Sequence, residues 1–99
     1  METKARKPFR IGRRRVFFSL KAPDAKAVTV VGDFNGWRPD AHPMKRHETG
    51  EWKKHLFLSP GRYEYKFIVD GQWWDDPTSE KKCPNQYGTC NSVLEVGEK

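Results

Sequence analysis

Residues 63 to 74, Tyr-Glu-Tyr-Lys-Phe-Ile-Val-Asp-Gly-Gln-Trp-Trp, constrain the fold more than any other stretch of the chain. Tyr63, Tyr65, Phe67 and Val69 alternate with Glu64, Lys66 and Ile68, the period-2 pattern of a half-buried strand. Lys66 is therefore predicted to leave the core face. Asp70-Gly71 supplies two residues that tolerate positive φ, as a two-residue hairpin turn of type I′ demands. On the returning limb Trp73 and Trp74 are adjacent, so extended backbone sends them to opposite faces; the pattern predicts one buried and one displayed. A displayed Trp beside a Lys is a flat apolar plate next to a hydrogen-bond donor. A pyranose ring, apolar on its C–H face and hydroxylated at its rim, requires that combination.

The other segments read as short strands too. Val16, Phe18 and Leu20 alternate with Phe17, Ser19 and Lys21, and Pro23-Asp24 ends that run. Val28 to Val31 is β-branched and stops at Gly32. In Asp33-Phe34-Asn35-Gly36-Trp37 the Asn-Gly pair makes a tight turn, which leaves Trp37 at its exit as an exposed candidate. Arg38 to Pro43 reads as loop, and Met44 as a plug for the core. Trp52 shares a side with Leu56 and Leu58 and reads as core. Pro60-Gly61 reads as a turn, so that two hairpins follow one another. A loop of about sixteen residues with Pro77, Pro84 and Gly88 precedes a last strand from Asn91 to Val96; loops of that length in small domains are often functional. About seven short antiparallel strands with no helical pattern predict an all-β, immunoglobulin-like sandwich of the early-set type.

Ninety-nine residues suffice for one domain with a modest core, and 13% aromatic content within 35% apolar means that this core uses few, large side chains. No apolar run approaches the length of a membrane span, and charges stand where a signal peptide needs an apolar stretch. The expectation is a cytoplasmic protein. Its net charge of +6 has an address: Lys4, Arg6, Lys7, Arg10, Arg13, Arg14 and Arg15 face Glu2 alone, and the rest of the chain is neutral. The sequence thus predicts a flexible basic arm over residues 1–13, solubilising or touching an anionic partner, and a sandwich domain over 14–97. With no net charge beyond residue 15, the chain outside the arm is a poor partner for nucleic acid.

Four blocks carry a resemblance: Gly32-Asp33-Phe34-Asn35-Gly36-Trp37, Tyr65 to Trp73, Asp76-Pro77, and Gly88-Thr89-Cys90-Asn91-Ser92. Over roughly residues 14 to 96 the sequence resembles carbohydrate-binding module family 48, and within it the glycogen-binding domains of AMP-activated protein kinase beta subunits. The resemblance implies that Trp37 and Trp73 stack on glucose rings, that Lys66 contacts sugar, and that Thr89 and Asn91 meet hydroxyls. Tyr87 stands where the kinase domains have a leucine that projects through a ring of glucose units, and a tyrosine can instead stack flat. Burial is the ordinary fate of Trp, and Thr89 and Asn91 can equally cap the loop. The implied ligands are α-1,4-linked glucans: glycogen, starch, maltooligosaccharides. Stacking framed by a few hydrogen bonds predicts weak binding, on the order of tens of micromolar or poorer, with little dependence on salt. The alternative is an interaction domain of the same fold that docks a kinase or a glucan-metabolising enzyme.

Catalysis is not expected. Glycoside cleavage needs two carboxylates flanking one bond, and Asp75 and Asp76 are adjacent and point apart. His42, His47 and His55 lack metal-ligand spacing with Cys83 and Cys90, so neither a metal nor another cofactor is expected. A disulfide between those cysteines would stabilise by about 2.5 kcal/mol; a reducing compartment favours free thiols instead.

Overall fold

The computed structural model describes residues 13–97. The basic arm, apart from Arg13, lies outside the described residues. Among the described residues the strands are β1 (Arg14–Lys21), β2 (Val28–Gly32), β3 (Lys45–Arg46), β4 (Glu51–Leu58), β5 (Gly61–Val69), β6 (Gln72–Trp74), β7 (Lys82–Pro84) and β8 (Cys90–Val96), with a 3-10 turn at Asp33–Asn35. One sheet has the order β1-β4-β3; the other has the order β2-β5-β8-β7, with β6 also paired to β5. Every pairing is antiparallel. The all-β sandwich expected from the alternation is the fold observed.

The inner faces meet in one core. Phe18, Leu20 and Trp52 from the first sheet pack with Val30, Tyr65 and Phe67 from the second in one cluster, which Met44 joins. Phe67 and Val30 are fully buried, so truncating Phe67 to Ala costs ~3–5 kcal/mol. The indole N–H of the buried Trp52 donates to the Ala22 carbonyl at 2.9 Å, which satisfies the polar edge of a core residue. Gly32 is required for space: a Cβ there would lie 2.5 Å from the Glu64 carbonyl and 2.8 Å from Phe34 and Tyr65 side-chain atoms. That close approach lets the chain leaving β2 turn tightly against β5.

Three expectations are corrected. The Pro60-Gly61 turn does not form a hairpin, because β4 and β5 belong to different sheets. Leu58 still faces the core, and the chain then crosses to the other layer, with Gly61 at φ 156° and the Tyr63 hydroxyl pinning the corner through the Ser59 carbonyl at 2.6 Å. The long loop after Trp74 contains a strand, β7. It is the last strand of its sheet, the position where Pro84 costs no ladder bond. Lastly, neither Trp73 nor Trp74 is buried: they are 54% and 39% exposed. Trp74 pairs with the inward Phe67, but three-residue β6 lies at the margin of the sheet, beyond the residues that form the core.

The Asp70-Gly71 hairpin is as expected, with φ of 49° and 85°. Asp70 Oδ1 also accepts the amide N–H groups of Lys26 and Ala27, both at 2.8 Å, tying the hairpin to the chain that enters β2. Two neighbouring elements therefore hold Trp73 in register.

Candidate functional site

The outer face of the five-stranded sheet carries a groove of about 830 Å³ lined by Asp33, Trp37, Glu64, Lys66, Trp73, Asn85, Gln86, Tyr87, Thr89 and Asn91. It brings together all six residues singled out from the sequence.

Trp37 stands in a strained conformation, φ 62°, that a bulky residue rarely adopts. Its N–H donates to the Gly32 carbonyl at 3.0 Å and to Asn35 Oδ1 at 3.2 Å. Its indole N–H reaches Asp33 Oδ1 at 3.1 Å, while Asp33 Oδ2 accepts the Glu64 amide at 2.8 Å. Asn35 is the hub of this turn: Oδ1 also accepts the Gly32 N–H, and Nδ2 donates to the Val30 carbonyl and to His42 Nδ1 at 2.9 Å. Burial, aided by the charge of Lys54, holds His42 below its ordinary pKa and so favours the neutral ring that can accept this bond.

Trp73 rises from the outer side of β6, opposite Ile68. The rings of Trp37 and Trp73 lie 6.4 Å apart and are inclined at 41°. Together they form two inclined plates at one end of the groove.

Lys66 does leave the core face, yet it is only 6% exposed and lies in the groove floor. Its ammonium donates to Asp75 Oδ1 at 2.8 Å and to the Cys90 carbonyl at 2.9 Å. Two of three donors are thus committed, and the third is available to a ligand hydroxyl. Asp76, next to the carboxylate that holds Lys66, turns inward: it is buried, accepts the Tyr65 hydroxyl at 2.5 Å, and receives the Thr78 amide and hydroxyl. Burial and that carboxylate push the Tyr65 phenol well above its ordinary pKa. The Asp76-Pro77 turn expected from the sequence closes through the Ser79 N–H to the Asp76 carbonyl at 3.1 Å.

The opposite wall is the turn between β7 and β8, which Asn85 organises. Its Oδ1 accepts the Tyr87 and Thr89 amides at 2.9 and 3.2 Å, and its Nδ2 reaches Thr89 Oγ1 and Asn91 Oδ1, both at 2.9 Å. Asn91 is 9% exposed, and its own amide donates to Glu64 Oε1 at 3.0 Å. Bonds from Asn91 first and then Arg62 hold the Glu64 carboxyl below the usual carboxylate range. Thr89 and Asn91 therefore shape the wall as well as facing the groove, whereas Tyr87 is 79% exposed. Cys83 and Cys90 are free. Cys83 pairs with Asn91 and Cys90 with Pro84, so the two thiols leave the ribbon on opposite faces.

The sequence reading missed Asp33, Glu64, Asn85 and Gln86. Glu64 was accessible, since it shares the outward parity of Lys66; Asn85 was not, because its role depends on a turn that only its own bonds define.

The chain matches the family described as the glycogen recognition site of AMP-activated protein kinase over residues 16–99. Protein FLOURY ENDOSPERM 6, chloroplastic, of Oryza sativa subsp. japonica is 43% identical over 63 residues, covering 64% of this chain and 12% of that protein. The 5'-AMP-activated protein kinase subunit beta-2 of Homo sapiens is 39% identical over 71 residues, covering 72% of this chain and 25% of the subunit. Among solved structures, a maltogenic amylase from S. marinus superposes with a TM-score of 0.73 at 29% identity, covering 89% of this chain and 14% of the amylase. The chain thus corresponds to a fraction of each of these proteins. With the groove assembled and the match spanning nearly the whole domain, the chain belongs to the glycogen-recognition family, the carbohydrate-binding modules of family 48, which are not catalytic in themselves.

Proposed function

We propose that this protein is a non-catalytic binder of α-1,4-linked glucans such as glycogen, starch or maltooligosaccharides, and that Trp37 and Trp73 are its stacking platforms. The observation that carries this reading is the pair of indoles inclined at 41° across one groove. Successive residues of an α-1,4 chain turn relative to one another, so two inclined plates suit it, whereas the flat ribbon of a β-1,4 glucan suits coplanar ones. Lys66 donates to a ring hydroxyl, Thr89, whose proton goes to Asn85 Oδ1, accepts from one, Asn91 offers its remaining valence, and Tyr87 adds a third apolar plate. No ligand charge is neutralised, so the binding is weak and insensitive to salt. The family's description as a glycogen recognition site supports the same ligand class.

In this reading the module anchors a kinase or a glucan-metabolising enzyme on its polymer in the cytoplasm, and the protein has no catalytic activity of its own. Native electrophoresis through gels containing glycogen or hydroxyethylcellulose tests the ligand. Retardation by glycogen alone, abolished in Trp37→Ala and Trp73→Ala, is the expected result. Equal mobility in both gels, or retardation that survives both substitutions, overturns it.

A further inference from the structure

The opposite side of the sandwich bears a second exposed aromatic cluster that the glucan groove does not use. On the outer face of the three-stranded sheet Phe17 is 70% exposed and Phe57 50%. In the β1-β4 ladder Phe17 pairs with His55 and Arg15 with Phe57, so the four side chains form a block two residues wide. Ring centroids lie 5.9 Å apart for Phe17 and His55 and 5.8 Å for His55 and Phe57, making a continuous strip. The Arg15 guanidinium carbon sits 5.7 Å from the centroid of each phenylalanine.

The charge around the strip is mostly positive. Lys21 lies at its β1 end, and Lys53 and Lys45 form a cross-strand pair beyond His55. On this face of these strands the cations meet Glu51, which is 3.7 Å from Lys53. Two lysines directly opposite each other repel, a local cost that a bound anion would relieve. Residues 16–99 carry equal numbers of acidic and basic side chains, and the groove side places Asp33 and Glu64 at its surface.

We propose that this face docks an acidic polypeptide segment that carries apolar or aromatic side chains. Apolar anchors at the centre with an Arg among them and a charged rim is how binding energy is distributed in protein interfaces. Phe17 and Phe57 are the anchors, Arg15 pairs with a carboxylate, and Lys21, Lys45 and Lys53 steer the segment. A polypeptide fits better than a single-stranded nucleic acid: bases need open ring faces for stacking, and here Arg15 already lies over both rings. Because the glucan groove is on the other sheet, polymer and segment can be held at once.

The test uses the full chain and a defined probe, fluorescein-labelled random poly(Glu,Tyr), followed by anisotropy, with poly-Glu and oligo-dT of similar length as competitors. The expected result is saturable binding of the copolymer that weakens at least tenfold in a Phe17→Ser/Phe57→Ser variant, with poly-Glu and oligo-dT competing poorly. Amide shifts on Arg15, Phe17, Lys53, His55 and Phe57 should accompany it, and retention by glycogen gels should not change. Binding that is equal in the double variant would assign the copolymer to the basic arm and overturn the proposal. Oligo-dT displacing the copolymer more effectively than poly-Glu, or no copolymer binding, would overturn it too. Single Phe17→Ser and Phe57→Ser variants, each expected to weaken binding severalfold, repeat the test with less change to the surface, and unchanged affinity in both singles likewise overturns it.

Discussion

On the outer face of the five-stranded sheet, the half-buried ring of Trp37 is fixed by the polar groups around it. Trp37 is bonded at its amide and its indole, in a backbone conformation that Asn35 and Asp33 over-determine. On the outer face of the three-stranded sheet, Phe17 and Phe57 stand on regular strands, with Arg15 and His55 as ring neighbours. Turns that hold strain can fix an angle between plates, which a rigid repeating sugar rewards. Flat ladders present rings that can adjust their rotamers, which suits a pliable chain. Pre-organisation thus separates two aromatic surfaces that look alike in composition.

The comparison breaks most sharply at the tryptophans. Trp37→Ala or Trp73→Ala should each weaken maltoheptaose binding ten- to a hundredfold, ~1.4–2.7 kcal/mol, by calorimetry. The melting temperature should change little for Trp73, which contributes mostly exposed surface. Asn35→Ala should cost about 1–3 kcal/mol in urea unfolding, because it leaves turn donors and acceptors unpaired, and it should also weaken glucan binding. Asn85→Ala removes a comparable hub from an exposed turn. It should lower glucan affinity severalfold with stability nearly unchanged; equal losses of stability in the two variants would erase the distinction between the two turns.

A smaller effect follows from His42. Its folded pKa lies below the ordinary value, so the unfolded chain takes up a proton first as pH falls. The stability due to neutral His42 is complete above about 6.5, the unfolded value, and declines as pH drops from there through the folded value. The urea midpoint should therefore fall between pH 7 and pH 5, and by less in His42→Gln. The smallest effect concerns the other face: Phe17→Ser/Phe57→Ser should leave maltoheptaose affinity within about twofold of the parent, since an exposed residue distant from the site rarely couples to it.

Alternation and turn chemistry made the sandwich readable: Val16 to Lys21 and Tyr63 to Val69 state their inward parity in the sequence, while Val28 to Val31 announces a strand only by its β-branched run. Parity also placed Lys66 on the groove side, but it could not foresee that Asp75 and the Cys90 carbonyl would bury that ammonium. Nor could it tell a hairpin from a crossing at Pro60-Gly61, because the same turn residues serve both and the outcome depends on where the core needs its second layer. Strands of two and three residues, β3 and β7, are too short to show a period. Trp37 was found through the Asn35-Gly36 turn and Trp73 through the Asp70-Gly71 hairpin, whereas the bonds by which Asp33 and Asn85 organise their turns are visible only once they are drawn.

The central claim is that Trp37 and Trp73 receive the glucan together, and the indole N–H resonances report on it directly. Trp52, whose indole is buried and bonded to the Ala22 carbonyl, serves as an internal reference in a proton–nitrogen correlation spectrum titrated with maltoheptaose. The indole signals of Trp37 and Trp73 should shift along one saturation curve while Trp52 stays still, and cellohexaose should move none of them. Saturation that shifts neither Trp37 nor Trp73, or the same response to cellohexaose, would contradict the account.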